Sequence, residues 1–408
     1  MTRADVLVRA GTAVAGQQSV GPLRRLPKAP LLDWSDLAPG PDTRLASIDQ
    51  LPHLLGTTSG RAALYLALEQ LDMPPGSGVL VPTYHCPTMV APVLEAGHEP
   101  IFYPLAADGQ PLPEEAVCPR GRVPRAAIVA HYFGLARDLS KVRRWCDSRG
   151  VALVEDCAHS FFGMAGARPV GSWGCLATAS LSKFFPVPEA GLLASATRPI
   201  RPVRLQPPGL RAQSKAAWDV IDIACRQGRL AGLAHLLRPF RASHGLQALD
   251  AAPDAIENVD AATIIAGCDM GRIGQAQSFT ATLLRRLLPT GRIVDQRRQN
   301  YEALAKALAG APSSRLLSGI LPHDCVPYVL PLWLDDARYA DRVYAQLRAE
   351  RLPIFRWDRA WPGTPHDPQD FGAAWSRQVL QVLCHQSLSA ADQQFVADRI
   401  VNALHHCG

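Results

Sequence analysis

Short apolar runs alternate with helix-patterned segments from about residue 56 onward, and no other feature of the sequence constrains the fold as much. Gly60-Arg61 opens a helix whose Leu64, Leu68 and Leu71 recur at i, i+4 and i+7 on one face. Val79-Leu80-Val81, stopped by Pro82, reads as a buried strand, as do residues 125–133, Val151-Ala152-Leu153-Val154 and Gly191-Leu192-Leu193-Ala194. Between the second and third of these a helix is expected from the cap Asp138, through Leu139, Val142 and Cys146 on one face, to Gly150. Strand, helix, strand in this rhythm makes crossover units, so the expected class is α/β with a mostly parallel sheet covered by helices on both faces.

At roughly 150 residues per domain, 408 residues give about two to three domains. Residues 1–45, rich in Pro and Arg and without periodicity, read as an extended N-terminal arm. A large domain is expected over 46–255, with a helical elaboration at about 199–255 around Trp218–Cys225 and Leu230–Leu237. Residues 256–408 form a smaller α+β domain, with a helix over Val294–Gly310 and a last helix opened by the capping pair Ser389 and Asp392.

Apolar residues at 48% and charged residues at 19% supply a core and exclude global disorder. No run reaches the roughly 18 apolar residues of a membrane span, and no compact apolar stretch precedes a cleavage site, so the expected location is the cytoplasm. The 10 cysteines include no pair at CxxC spacing, which fits free thiols in a reducing compartment and no metal. A net charge of +6, spread along the chain without a nucleic-acid motif, suits an anionic small molecule and implies neither a nucleic-acid nor a membrane partner.

The chemistry concentrates in Glu155-Asp156-Cys157-Ala158-His159 and Ser180-Leu181-Ser182-Lys183-Phe184-Phe185. An Asp at the end of a parallel strand faces the crevice where such sheets bind ligands, although a strand-end Asp also serves as a helix cap. A Lys beside Phe184, Phe185 and Pro186 has its amine pushed toward the neutral, nucleophilic form, unless it snorkels to solvent. Pyridoxal phosphate needs both groups. Gly56-Thr57-Thr58-Ser59-Gly60-Arg61, in front of an amphipathic helix, adds backbone N–H groups, hydroxyls and a guanidinium for a phosphate, and lacks the ending of a nucleoside triphosphate loop.

Gly56 through Leu64, Val79 through Tyr84, His131-Tyr132-Phe133-Gly134, Glu155 through His159, Ser180 through Lys183, Glu189-Ala190-Gly191 and Leu383 through Leu388 together resemble the DegT/StrS-type aminotransferases. That family (DegT/DnrJ/StrS) consists of pyridoxal-phosphate enzymes of fold type I, mostly aminating nucleotide-linked keto sugars in amino sugar biosynthesis. The resemblance runs from about residue 50 to the C-terminus and is thin over 197–260. It implies Lys183 as the residue that links to the cofactor and carries protons, Asp156 as partner of the pyridinium nitrogen, and His159 at the ring hydroxyl. It implies Ser59, Gly60, Arg61 and Ser180 at the phosphate, and a homodimer with active sites near the subunit interface. Lys183 also separates the chain from the family's dehydratase branch, which has His there.

Departures at three places mark a divergent member. Cys86 stands where the family usually stacks an aromatic ring on the cofactor, which leaves Tyr84 and His85 as stacking candidates. Gly267, Cys268, Asp269 and Met270 replace an Asn-Tyr-Arg-Met run that reaches the partner's phosphate site, which leaves Arg61 or Arg272 to compensate. Ala190 replaces the first Gly of a pair. Other residues with two readings are His131 (near the cofactor, or structural), His366 with Asp367 and Asp370 (a metal, at a spacing that fits no standard site), and Trp357, Trp361 and Trp375 (pocket, or core). The expected function is transfer of an amino group from a glutamate-like donor to a keto sugar. The alternatives are a noncatalytic or regulatory protein of the same fold and a pyridoxal-phosphate enzyme acting on another amine or amino acid.

Overall fold

A strand that is apolar at every position has to be covered on both faces. In the computed structural model, which describes residues 26–38, 40, 45–119, 122–237 and 260–407, this is the arrangement around Val79-Leu80-Val81. Val79 and Val81 pack with Leu64, Leu68 and Val90 on one side of the sheet, and Leu80 packs with Tyr103, Val129 and Leu153 on the other.

The large sheet takes β1 (His53–Thr57), β2 (Gly78–Pro82), β3 (Glu99–Tyr103), β4 (Pro124–Ala130) and β5 (Ala152–Asp156). After a short hairpin of β6 (Met164–Ala165) and β7 (Arg168–Pro169) come β8 (Leu176–Ser180) and β9 (Gly191–Ser195). The 7-stranded order is β1-β9-β8-β5-β4-β2-β3. The ladders β3·β2, β2·β4, β4·β5 and β5·β8 are parallel, whereas β9 runs antiparallel to both β8 and β1. Helices α1 (Gly60–Glu69) and α2 (Pro87–Glu95) cover one face, and α3 (Ser140–Arg149) packs with the opposite core. This is the expected α/β class.

Around β4 and α3, two boundaries differ from the sequence expectation. The strand expected over 125–133 ends at Ala130, because Phe133 (φ 63°) and Gly134 (φ 85°) turn the chain into a 3-10 turn. A Cβ on Gly134 would lie 2.4 Å from the Val326 carbonyl, so the turn is dictated by close approach to a distant segment. Asp138 caps α3 from one position further out than expected, its carboxylate accepting from the Ser140 N–H at 2.7 Å. Gly150 ends that helix in the left-handed conformation, φ 64°.

Helices α4 (Leu210–Arg226) and α5 (Leu233–Leu236) occupy the elaboration, whose remaining residues 238–255 lie outside the described part. Helix α6 (Ala261–Ala266) returns to pack beside α2, and α7 (Phe279–Leu287) leads into α8 (Thr290–Leu308). The second sheet is antiparallel, ordered β10 (Ser314–Leu316), β11 (Val329–Leu334), β13 (Val379–Leu383), β12 (Ile354–Phe355). It packs with α8, α9 (Ala337–Ala349), α10 (Phe371–Gln378) and α11 (Ala390–Cys407). Ser389 and Asp392 cap α11 reciprocally, as their spacing predicts. Of the expected arm, residues 1–25, 39 and 41–44 lie outside the described part. Residues 27–31 lie along the turn after β13: His385 Nε2 donates to the Pro27 carbonyl at 3.0 Å, and Leu31 N–H donates to Ser387 Oγ at 2.9 Å.

Candidate active site

The carboxyl ends of parallel strands open onto a crevice, and most of the residues singled out by sequence lie there. Asp156 ends β5 opposite Thr178 of β8, and Ser180 ends β8. A 3-10 turn over Leu181–Lys183 follows and carries the lysine. Helix α1 begins against this edge: a Cβ on Gly60 would lie 3.3 Å from that of Ser180. Gly191 lets the two elements meet, since a Cβ there would lie 2.3 Å from the Ser59 carbonyl oxygen and 2.7 Å from the Gly60 nitrogen.

These ends enclose a cavity of about 240 Å³ whose lining includes Gly60, Arg61, Asp156, His159, Ser180 and Lys183. Burial pushes the Lys183 amine below the usual lysine range, against the pull of Asp156. Burial likewise raises the Asp156 carboxyl, against the Ala158 N–H, Lys183, His131 and the Thr178 hydroxyl. Burial, reinforced by Lys183, holds His159 well below the usual histidine range. His159 is therefore neutral, its Nδ1 accepting from the Phe133 N–H at 3.3 Å, which makes Nε2 the protonated nitrogen. Its ring lies 4.4 Å from that of Tyr328 and 4.8 Å from that of Trp357, and Lys183 Nζ stands 5.2 Å from the centre of Tyr328.

Ser59, Tyr84 and His85 do not line this cavity. Ser59 Oγ is engaged as the α1 cap, accepting from the Ala62 N–H at 3.1 Å. Tyr84 is fully buried, in a cluster with Tyr132, Phe133, Trp357 and Trp375. Both His85 nitrogens are occupied, Nδ1 by the Pro82 carbonyl and Nε2 by the Trp361 N–H, and its ring stacks on Phe102. At the start of α1, Arg61 binds Glu189 (2.5 Å) and Asp269 (3.3 Å), so this intrachain cation stands where the partner-reaching Arg is absent.

His131 lines the cavity and is also structural, its Nε2 bonding Glu155 at 3.0 Å. Glu155 further accepts from the N–H groups of Gly171, Trp173 and Gly174, which makes the buried His131, Glu155 and Cys157 group a hydrogen-bonded strut. Asp370 serves as the cap of α10. Of the tryptophans, Trp357 lines the cavity, whereas Trp375 is core. The sequence reading missed Thr178, Tyr328 and Thr88; Thr178 was detectable as the hydroxyl residue paired across from Asp156, and the others carry no local signal.

Cys86, Thr88 and Trp357 are shared with a larger outer cavity of about 830 Å³. Its walls carry Lys28, Arg348, Arg356, Arg359, Phe355 and Trp361. Arg356 is paired with Asp341 and Asp358, whereas the buried Nε of Arg348 has no hydrogen-bond partner.

Residues 42–196 match the profile of the DegT/DnrJ/EryC1/StrS aminotransferase family. The chain is 27% identical over 205 residues to GDP-perosamine synthase of Vibrio cholerae, covering 48% of this chain and 56% of that protein. It is 31% identical over 157 residues to UDP-N-acetyl-3-dehydro-alpha-D-glucosamine 3-aminotransferase of Acidithiobacillus ferrooxidans, covering 37% of this chain and 40% of the relative. The matched part thus spans about half, or less, of these curated relatives. Among solved structures, PseC of Helicobacter pylori superposes with a TM-score of 0.60 at 12% identity, covering 94% of this chain and 100% of that one. An aminotransferase of this family from Brucella abortus gives 0.56 at 19% identity, covering 88% and 86%. These likenesses show the fold, the fold type I arrangement of a large domain with a smaller one. Over residues 42–196 the chain is thus similar to the DegT/DnrJ/EryC1/StrS aminotransferase family.

Proposed function

We propose that this protein is a pyridoxal-phosphate-dependent aminotransferase that moves an amino group from a glutamate-like donor to a keto sugar, nucleotide-linked, and that it works as a homodimer in the cytoplasm. The observation that carries the reading is the meeting of Lys183 and Asp156 in one cavity, with the amine driven toward its neutral form. The donor set fits the cofactor: an amine for its carbonyl, a carboxylate for its ring nitrogen, and a helix start with Arg61 and Ser180 for its phosphate. The division into an arm of 1–45, a large domain of 46–255 and a small domain of 256–408 is part of the same proposal.

When bound, pyridoxal phosphate supplies an electron-withdrawing ring that stabilises negative charge on the carbon bearing the amine. The side chains do the rest. Lys183 Nζ, its pKa lowered by burial, would take a proton from the donor carbon and return one to the acceptor carbon. Asp156 would hold the proton on the ring nitrogen, and His159 would donate from Nε2 to the ring oxygen. Arg61, the first-turn N–H groups of α1 and Ser180 fix the phosphate.

The outer cavity supports an acceptor larger than a bare sugar. Arg348 and Arg359 suit the negative charge of a diphosphate, and Trp361 and Phe355 offer apolar faces to a base. The relatives' names point the same way, since they specify GDP- and UDP-linked sugars. The test is a two-stage spectral assay. Glutamate should convert the cofactor's visible band, and a nucleotide-linked keto sugar should restore it at far lower concentration than the free sugar. Equal potency of the two would remove the nucleotide from the proposal, and no response to any amino donor would remove transamination.

A further inference from the structure

Arg297 of α8 is fully buried, and among the described residues every acceptor it uses is neutral. Its Nε donates to Gln386 Oε1 at 2.9 Å, its Nη1 to the carbonyls of Pro327 (3.0 Å) and Tyr328 (3.5 Å), and its Nη2 to the carbonyl of Lys183. Gln386 completes the clamp by donating to the Phe184 carbonyl at 2.7 Å, and the guanidinium lies 4.5 Å from the centre of the Phe184 ring. A buried charge without a counter-ion is expensive, and here its desolvation is offset by hydrogen bonds to neutral acceptors. The geometry of the fork is what a methionine there could not reproduce. That fork grips both sides of one contact: the backbone of Lys183 and the backbone of Tyr328, whose ring faces Lys183 Nζ.

From this we infer that Arg297 is the positioning residue of Lys183, a planar clamp from the small domain that holds the lysine turn and the Tyr328 ring in fixed relation so that the amine stays in its buried place. Arg297 touches no reacting atom. It acts through the carbonyls of residues 183 and 328, and Gln386 orients it. The inference rests on the reading of Lys183 as the reactive amine.

The test uses the full chain without cofactor, so that it does not depend on whether the cofactor reading holds. Lys183 is reductively methylated with formaldehyde and cyanoborohydride across a pH series, its midpoint is read by peptide mass, and amide exchange is followed over 181–187. In wild type the midpoint lies below that of the exposed lysines. Folded Arg297→Met should move it toward theirs and speed amide exchange over 181–187 by at least about tenfold. Arg297→Lys, which keeps the charge and loses the fork, should behave as Arg297→Met does. If Arg297→Met does not fold, Gln386→Leu, which breaks the Nε and Phe184 bonds, should shift both readouts in the same direction by a smaller amount. An unchanged midpoint and unchanged exchange in whichever folded variant is read would overturn the inference. Failure of the cofactor reading shows elsewhere, as the absence of a Lys183-dependent cofactor band, so the two failures are distinguishable.

Discussion

Arg61 meets Glu189 and Asp269, so the start of α1 sets one cation against two anions at the place proposed for a phosphate. Asp269 is more than half exposed, and the pair is worth little in isolation, about 0.2–1 kcal/mol. Freed from it, Arg61 Nη2 becomes available to the phosphate, while Nη1 stays paired with Glu189 and Nε with the Asp269 carbonyl. Asp269→Asn should therefore tighten pyridoxal phosphate between about two- and fivefold in an absorbance titration. Weaker binding would mean that Asp269 serves to aim Arg61. At this scale the sequence was informative wherever a residue's neighbours along the chain determine its job. Asp156, His159, Ser180 and Lys183 sit on one strand end or the turn after another, and all line the cavity. Tyr84 and His85 were misassigned as stacking candidates because their roles depend on Trp375, Trp361 and Phe102, which are remote from them in sequence.

Among the elements, α1 and β9 have to be considered together. Helix α1 shows the expected apolar face and a cap at Ser59, and replacing that cap by Ala should cost about 1 kcal/mol in urea unfolding. Gly191 at the start of β9 matters more to the site. Any side chain there collides with the backbone at Ser59 and Gly60, so Gly191→Ala has to displace the helix start. It should weaken cofactor binding by more than Ser59→Ala does, at a comparable loss of stability; equal binding by the two variants would separate the helix start from the phosphate. Four strands of the large sheet and helices α1, α3, α8 and α11 were legible because a both-sides-apolar run or an i, i+4 stripe encodes them locally. The early end of β4 was not, because the turn at Phe133 and Gly134 is forced by the Val326–Tyr328 backbone. Helix α8 likewise begins at Thr290, ahead of the apolar pattern from Val294 that announces it.

For the molecule as a whole, contacts between segments remote in sequence bury neutral histidines. Burial pushes His85 down to about 4 and His385 down to about 3, from an ordinary value of 6.5. Below pH 6.5 the unfolded chain binds protons that the folded chain refuses, so stability falls as the pH falls. Between pH 6.5 and 5 each residue removes about 2 kcal/mol, at about 1.4 kcal/mol per pH unit. Urea midpoints should drop across that window, and His385→Asn, which keeps a donor for the Pro27 carbonyl, should flatten the slope. A slope unchanged in that variant would remove His385 from the account. The alternation of strand and helix in the large sheet was readable from sequence, as were several residues that line the crevice. The Arg297 clamp was not, because a lone Arg on a helix reads as a solvated charge until α8, the turn after β13 and the lysine turn are brought together.

The central claim is that Lys183 and the residues around it form a pyridoxal-phosphate site. The most direct measurement is the visible spectrum of the purified protein titrated with pyridoxal phosphate, for wild type and for Lys183→Ala. The wild type should develop a saturable band, shifted from that of the free cofactor, that disappears on borohydride reduction and leaves the label on the peptide containing Lys183. Lys183→Ala should give neither the shifted band nor the label. The same band in both proteins, or no band in either, would contradict the claim.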